Sequence, residues 1–241
     1  MQDSLQTSSK DSQQGIDQAL SLLDPRIQEW LRTKGSPNLS APQEERIRAI
    51  LDAPDEPPIL TDSALGGAID AVYMAVLTQL ATPLRDVAGF LVLHVSPHRT
   101  SVDAHYERIG EMARLVDIPA TRWHDEVPCA DKARALESPT GILLTTLEAL
   151  EAFVTIRASQ LPMLFGSLEY LIVEQSGTVT QRERGSLLQT VLSRIGFPAE
   201  TSPRCIVLGT TSIDSEVRER HSVCGEGDNA MNEHAQIGPR R

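Results

Sequence analysis

Residues 57–80 read PPILTDSALGGAIDAVYMAVLTQL, and their order of residue types sets the frame for the whole chain. Two prolines stop whatever precedes them, Ile59 begins a short apolar strand, Gly66 and Gly67 lie in a loop of small residues, and the run from Ala68 predicts a helix. A strand, a glycine loop and a helix N-terminus form the scaffold on which phosphate-binding loops are built. The scaffold is present here, but the lysine and hydroxyl that such loops use are not evident.

Outward from that stretch, the same beat repeats. AGFLVLHVS (88–96) is an unbroken apolar run of the kind buried in parallel sheets, and VDAHYERIGEMARLV (102–116) after it carries helical spacing. GILLTT (141–146) predicts another strand and LEALEAFVTIRASQL (147–161) another helix. LEYLIVE (168–174) and PRCIVLGTT (203–211) predict two more strands, with the helical RGSLLQTVLSRIGF (184–197) between them. Strands alternating with helices imply βαβ units and an α/β, doubly wound parallel sheet flanked by helices.

Upstream, GIDQALSLLDPRIQEWLRTKG (15–35) places Leu20, Leu23, Ile27, Trp30 and Leu31 at helical spacing, with Gly35 as its stop. SAPQEERIRAIL (40–51) predicts a second helix, with Ser40 as N-cap and Pro42 in its first turn. Together they form a helical N-terminal extension. Residues 1–15 are polar and expected to be disordered, residues 16–213 form a single domain, and residues 214–241, poor in apolar groups, are expected to be a tail.

Composition narrows the function. The chain has 241 residues and a formal net charge of -11, which repels nucleic acid overall, so any such contact must be local. No run approaches the roughly 20 apolar residues of a membrane span, and the polar start is unlike a signal peptide. A cytoplasmic location without membrane contact is expected. Cys129, Cys205 and Cys224 are far apart, in no CxxC pair, which argues against both a disulfide framework and a zinc site. No metal site is expected from them.

In a doubly wound sheet, ligands bind beyond the C-terminal ends of the strands. The segments at those ends, in chain order, are LSAPQEERI, ILTDSALGGAID, LHVSPHRTSVD, RWHDEV, GILLTTLEALEA, LEYLIVEQSGTV, RERGSLLQ and IVLGTTS. Their order and spacing resemble the first motor domain of superfamily II DEAD/DEAH-box helicases, and in particular the large helicase-related (Lhr-type) branch, from about Leu20 to Ile213. WHDEVPCADKARAL with GILLTTLEALEAF is the most specific part, since that branch carries similar WHG and LLTTPESLE stretches. The resemblance implies a RecA-like fold and, by family, ATP and magnesium as cofactors.

The departures weigh against that activity. Laid over a GxxxxGK[ST] loop, Asp62–Ile69 keeps Gly67 but sets Ala68 at the lysine position and Ile69 at the hydroxyl position, while Asp62 adds a negative charge near a triphosphate. At the position resembling the DExH or DExD box stand Glu174, Gln175, Ser176 and Gly177; Gln175 cannot act as a base, although Glu174 could touch a metal. Gly209, Thr210 and Thr211 stand at the position of motif III, with the last Thr retained. Gln43 matches the adenine-reading glutamine, or is simply a polar residue at a helix start. The chain stops after motif III, so a second motor domain is not expected within it.

The nucleic-acid face is carried over in the same way. Pro97, His98, Arg99, Thr100 and Ser101 resemble motif Ia, Thr145, Thr146, Leu147 and Glu148 resemble motif Ib without its proline, and Arg184 with Gly185 matches a further RG element. Hydroxyls, helix-start amides and a few arginines are what phosphate contact requires, but helix capping and solvated charge account for the same residues. Trp30, Trp123 and His124 are expected to be structural. The expected function is a non-catalytic, degenerate helicase-like module binding a protein partner over the face that normally meets a second motor domain, or weakly a nucleic acid. An ATP-binding helicase subunit completed by another chain, and a truncated remnant, are the alternatives.

Overall fold

The structure, a computed structural model, describes residues 19–34, 39–52, 59–62, 67–81, 88–174, 181–197 and 202–209, with backbone alone for 59–62 and 181–184. The elements in chain order are α1 (Pro25–Thr33), α2 (Ala41–Leu51), β1 (Ile59–Asp62), α3 (Ala68–Leu80), β2 (Gly89–Ser96), α4 (Arg99–Leu115) and β3 (Ala120–Trp123). They continue with α5 (Cys129–Glu137), β4 (Thr140–Thr146), α6 (Leu147–Ile156), α7 (Leu161–Phe165), β5 (Tyr170–Glu174), α8 (Gln181–Ile195) and β6 (Arg204–Gly209). The six strands form one sheet in the order β1-β6-β5-β2-β4-β3. Every pairing is parallel. This is the doubly wound α/β sheet that the alternating runs predict.

Alternation along the strands divides the core in two. Ile142, Leu144, Tyr170, Ile172, Ile206 and Leu208 face one layer, under α1 to α4. Leu143, Leu171, Val173, Cys205 and Val207 face the other, under α6 to α8. A register shift between Phe90 and Val92 restores the period on β2, so Leu91 and Val92 both join the first layer while Leu93 and Val95 join the second. Helix α3 is buried along almost its whole circumference from Ala71 to Leu77, as a helix between sheet and outer helices must be.

Several element boundaries differ from the sequence-based expectation. The continuous helix expected over 15–35 is broken: residues 19–22 are helical, and α1 starts afresh at Pro25, with Asp24 as N-cap accepting from the Arg26 amide at 2.8 Å. Proline removes the amide that a continuing helix would need, and suits a first helical position. The expected helix 147–161 likewise ends at Ile156, and Pro162 sits in the first turn of the separate α7. The strand β3 and helix α5 fall in the segment ATRWHDEVPCADKARALE (120–137), whose pattern predicts neither. Strand β3 is half-buried along its length and α5 has no buried residue, so neither carries the apolar run that marks the other elements. The expected termini, 1–15 and 214–241, lie outside the described residues.

Candidate functional site

Gly67 opens α3 at the position matched to a phosphate loop, and residues 63–66 of that stretch lie outside the described residues. Gly67 is the N-cap of α3 with φ at +82°, a left-handed conformation that a side chain disfavours. A Cβ there would stand 2.5 Å from Gln43 Nε2, so the glutamine lies directly against the loop. Gln43 in turn belongs to a capping box on α2, its Oε1 accepting from the Ser40 amide at 2.9 Å, while its Nε2 donates to the Gly67 carbonyl at 3.4 Å. Gln43 thus ties α2 to the start of α3.

The side chains that follow do not offer phosphate chemistry. Ala68 is buried, and Ile69 packs against the core. Asp70, also buried, accepts from Arg108 Nε and Nη2 on its two carboxylate oxygens, a bidentate pair that pins α3 to α4. The hydrogen bond to Asp70 holds the Arg108 pKa above its ordinary value, against the burial that opposes it. Beside the junction a cavity of about 390 Å³ runs between Trp30, Lys34, Gln43, Gly67, Asp70 and Arg108. Its charges are largely matched within the chain, Arg108 by Asp70 and Lys34 by Glu111 at 2.7 Å. Gly66 and Gln175 lie outside the described residues.

At the neighbouring strand ends, polar groups converge instead. Residues 92, 94 and 96 of β2 share a face, as do 170, 172 and 174 of β5, and His94 is in register with Ile172. His94, Ser96 and Glu174 therefore project toward the first layer, where Tyr73 of α3 and His105 of α4 meet them. His105 follows Val102 by three residues and precedes Ile109 by four, which sets it on the buried stripe of α4. Its Nε2 lies 2.9 Å from Glu174 Oε1, and His94 Nε2 lies 3.9 Å from Glu174 Oε2. Tyr73 Oη is 2.8 Å from His94 Nδ1, Ser96 Oγ is 3.4 Å from His94 Nε2, and the two imidazoles stack at 5.4 Å with 19° between their planes.

Burial decides the protonation of this cluster. It lowers the pKa of His94 to about 4, against the pull of Glu174, so the ring is neutral at pH 7. Burial also pushes the Tyr73 hydroxyl well up, with the Glu174 charge adding to it. For Glu174 burial acts upward too, but the hydrogen bond from His105, the two histidines and Ser96 outweigh it and hold the carboxyl below its usual value. Glu174 is the residue that the family resemblance assigns to magnesium. Magnesium requires near-octahedral oxygen ligands, whereas here one carboxylate is flanked by imidazoles and Ile69 replaces the hydroxyl. The residues present do not fit a magnesium–nucleotide complex.

The positions resembling motifs Ia and Ib lie at adjacent strand ends, because β2 pairs with β4 through Val95–Thr145 and Ser96–Thr146. Their groups are engaged. Arg99 Nη1 lies 2.9 Å from Glu126 and 3.6 Å from Asp125. Thr145, buried, donates to the Trp123 carbonyl at 2.8 Å, and Thr146 caps α6 by accepting from the Ala149 amide at 3.2 Å. Pro97 is half-buried, two residues before Arg99. Gly185 is exposed in the first turns of α8, the helix that follows β5; the Arg184 side chain lies outside the described residues. Gly209 ends β6 opposite Asp62, and Thr210 and Thr211 lie outside the described residues. Trp123 packs edge-on against Phe153 at 4.7 Å, and the buried His124 meets Asp103 at 3.1 Å.

His94 and His105 are the residues that sequence reasoning missed. A histidine inside the otherwise apolar run AGFLVLHVS, and another on the apolar stripe of the next helix, were the available signals.

No family model matches the chain, and no curated protein matches it in sequence. Solved structures do match in fold. The yeast DEAD-box splicing factor Prp28 superposes with a TM-score of 0.68 at 12% identity, over 83% of this chain and 47% of that one. A hypothetical ATP-dependent RNA helicase from Sulfolobus tokodaii gives 0.61 at 16% identity, over 82% and 53%. The DUF1998 helicase MrfA, bound to DNA, gives 0.62 at 16% identity, over 79% and 27%. The chain has the RecA-like fold of a helicase domain, and spans between about a quarter and a half of those proteins. No helix among the described residues is long and apolar enough to cross a membrane.

Proposed function

We propose that the chain is a degenerate helicase-like module that does not turn over nucleotide and acts through the C-terminal edge of its sheet. The observation that carries this reading is the start of α3, where Ala68 is buried and Ile69 is packed into the core at the two positions that would supply a lysine and a magnesium-binding hydroxyl. Phosphoryl transfer is almost wholly positioning and electrostatic stabilisation, so losing the cation and the metal ligand together removes most of what a RecA-like site contributes.

The ligand class follows from the same edge. Arg99 is neutralised by Asp125 and Glu126, and the hydroxyls of Thr145 and Thr146 serve the backbone. A net charge of -11 opposes non-specific phosphate binding as well. These features favour a protein partner, seated on the face that in helicases meets a second motor domain, over a nucleic acid. A salt-dependent gel shift with single-stranded and duplex DNA tests the choice, run on the wild type, Arg99→Ala and Arg184→Ala. The expected result is no complex at low salt; a complex that weakens in both variants would transfer the proposal to nucleic acid.

A further inference from the structure

We propose that His94, His105 and Glu174 form a binding site for a divalent transition-metal ion of the zinc class. Each contributes one ligand atom, and these atoms all lie within 4.8 Å of one another. An ion with tetrahedral bonds of 2.0 to 2.2 Å holds neighbouring ligand atoms roughly 3.3 Å apart. The observed 2.9 Å from His105 Nε2 to Glu174 Oε1 and 3.9 Å from His94 Nε2 to Glu174 Oε2 lie on either side of that spacing, so side-chain rotations within the cluster bring the two imidazoles and one carboxylate onto a single ion.

The donor set selects the ion. Two imidazoles and one carboxylate suit zinc, cobalt, nickel or iron(II), whereas magnesium and calcium prefer oxygen throughout. The same set distinguishes this site from the magnesium that the helicase resemblance implies, which would be held through nucleotide phosphates and the hydroxyl that Ile69 replaces. Support from behind is also in place. With Nδ1–H of His94 donating to Tyr73 Oη at 2.8 Å, the Nε2 lone pair faces the cluster, the arrangement that orients metal-bound histidines. Side-chain exposure of 19% at His105 and 14% at Glu174 leaves a solvent side, where a water takes the fourth position. The bound ion would clamp α4 to the ends of β2 and β5.

Without metal, His105 Nε2–H donates to Glu174 and His94 stands beside the pair without a hydrogen bond to either. Titration separates the two states. The full chain, dialysed against chelator, is titrated with Zn2+ in competition with a chromophoric chelator, with Co2+ followed by visible absorption, and with Mg2+ as control. The expected result is one Zn2+ per chain, a melting temperature raised by roughly 5 °C at saturating zinc, and no response to Mg2+. His105→Ala and Glu174→Gln should each weaken Zn2+ binding by about 100-fold, while His98→Ala and Cys129→Ser bind as the wild type does. Melts in chelator establish that each variant is folded. Should His105→Ala not fold, His105→Gln and the wild-type Co2+ spectrum decide, since bands of nitrogen and oxygen ligation support the site and thiolate charge transfer overturns it. Absence of binding by the wild type, or binding that survives both ligand substitutions, also overturns it. The outcome is independent of nucleotide binding, which a separate titration reads.

Discussion

Two regions lie side by side at the C-terminal end of the sheet and have opposite chemistry. At the start of α3 Gly67 holds a left-handed conformation, yet the positions matched to the lysine and the hydroxyl carry Ala68, which is buried, and Ile69, which packs against the core. At the ends of β2 and β5 the backbone is ordinary, yet Tyr73, His94 and Ser96 are drawn together in the interior, with His105 and Glu174 closing their solvent side. Burying polar groups costs free energy unless each is satisfied, so the polar cluster has to hold itself together through its own hydrogen bonds while the start of α3 rests on apolar packing.

The sharpest way to break the comparison is His94→Ala. It leaves a cavity in a fully buried position and strands the Tyr73 hydroxyl, so equilibrium unfolding in urea should show a loss of about 3 to 4 kcal/mol. A cost below about 1 kcal/mol would mean that the polar cluster is incidental to the fold.

Acidification should act nearly as strongly. The folded chain refuses a proton at His94 until about pH 4, whereas the unfolded chain accepts it near 6.5. The unfolded state thus binds more protons between those values, and stability falls as pH drops through the window, by on the order of 3 kcal/mol. Glu174, with its carboxyl held low, adds a further loss at the acid end. Urea melts in chelator at pH 7, 6, 5 and 4 measure this, and His94→Gln should flatten the slope.

Smaller effects are expected at the phosphate loop. Gly67→Ala forces a side chain into a φ of +82° and against Gln43, for about 1 to 2 kcal/mol; part of that should disappear in a Gln43→Ala background. Full additivity in the double-mutant cycle would show that Gln43 does not press on the loop. Smallest of all, Arg99→Ala should change stability by no more than about 0.5 kcal/mol, because its ion pairs with Asp125 and Glu126 are exposed.

The same two regions differ in how far the sequence reveals them. The strands β2, β4 and β5 and the helix α3 are legible because a continuous apolar run bounded by turn residues suits little except an element buried on all sides. Apolar patterning misses β3 and α5, whose residues are too exposed to leave a pattern, and runs a helix through Asp24 and Pro25 where a cap and a proline start a new one. Glycines and replaced positions at the loop can be read by alignment to a motif. The histidine cluster cannot, since His94, His105 and Glu174 are distant in sequence and meet only through the β2–β5 register and the packing of α4 above it. A single histidine in an apolar run carries no partner with it.

We propose that this RecA-like domain does not bind nucleotide at the start of α3. Isothermal titration of the full chain with a non-hydrolysable ATP analogue and magnesium tests it most directly. The account predicts no heat of binding at millimolar analogue. A dissociation constant in the micromolar range, with one site per chain, would contradict it.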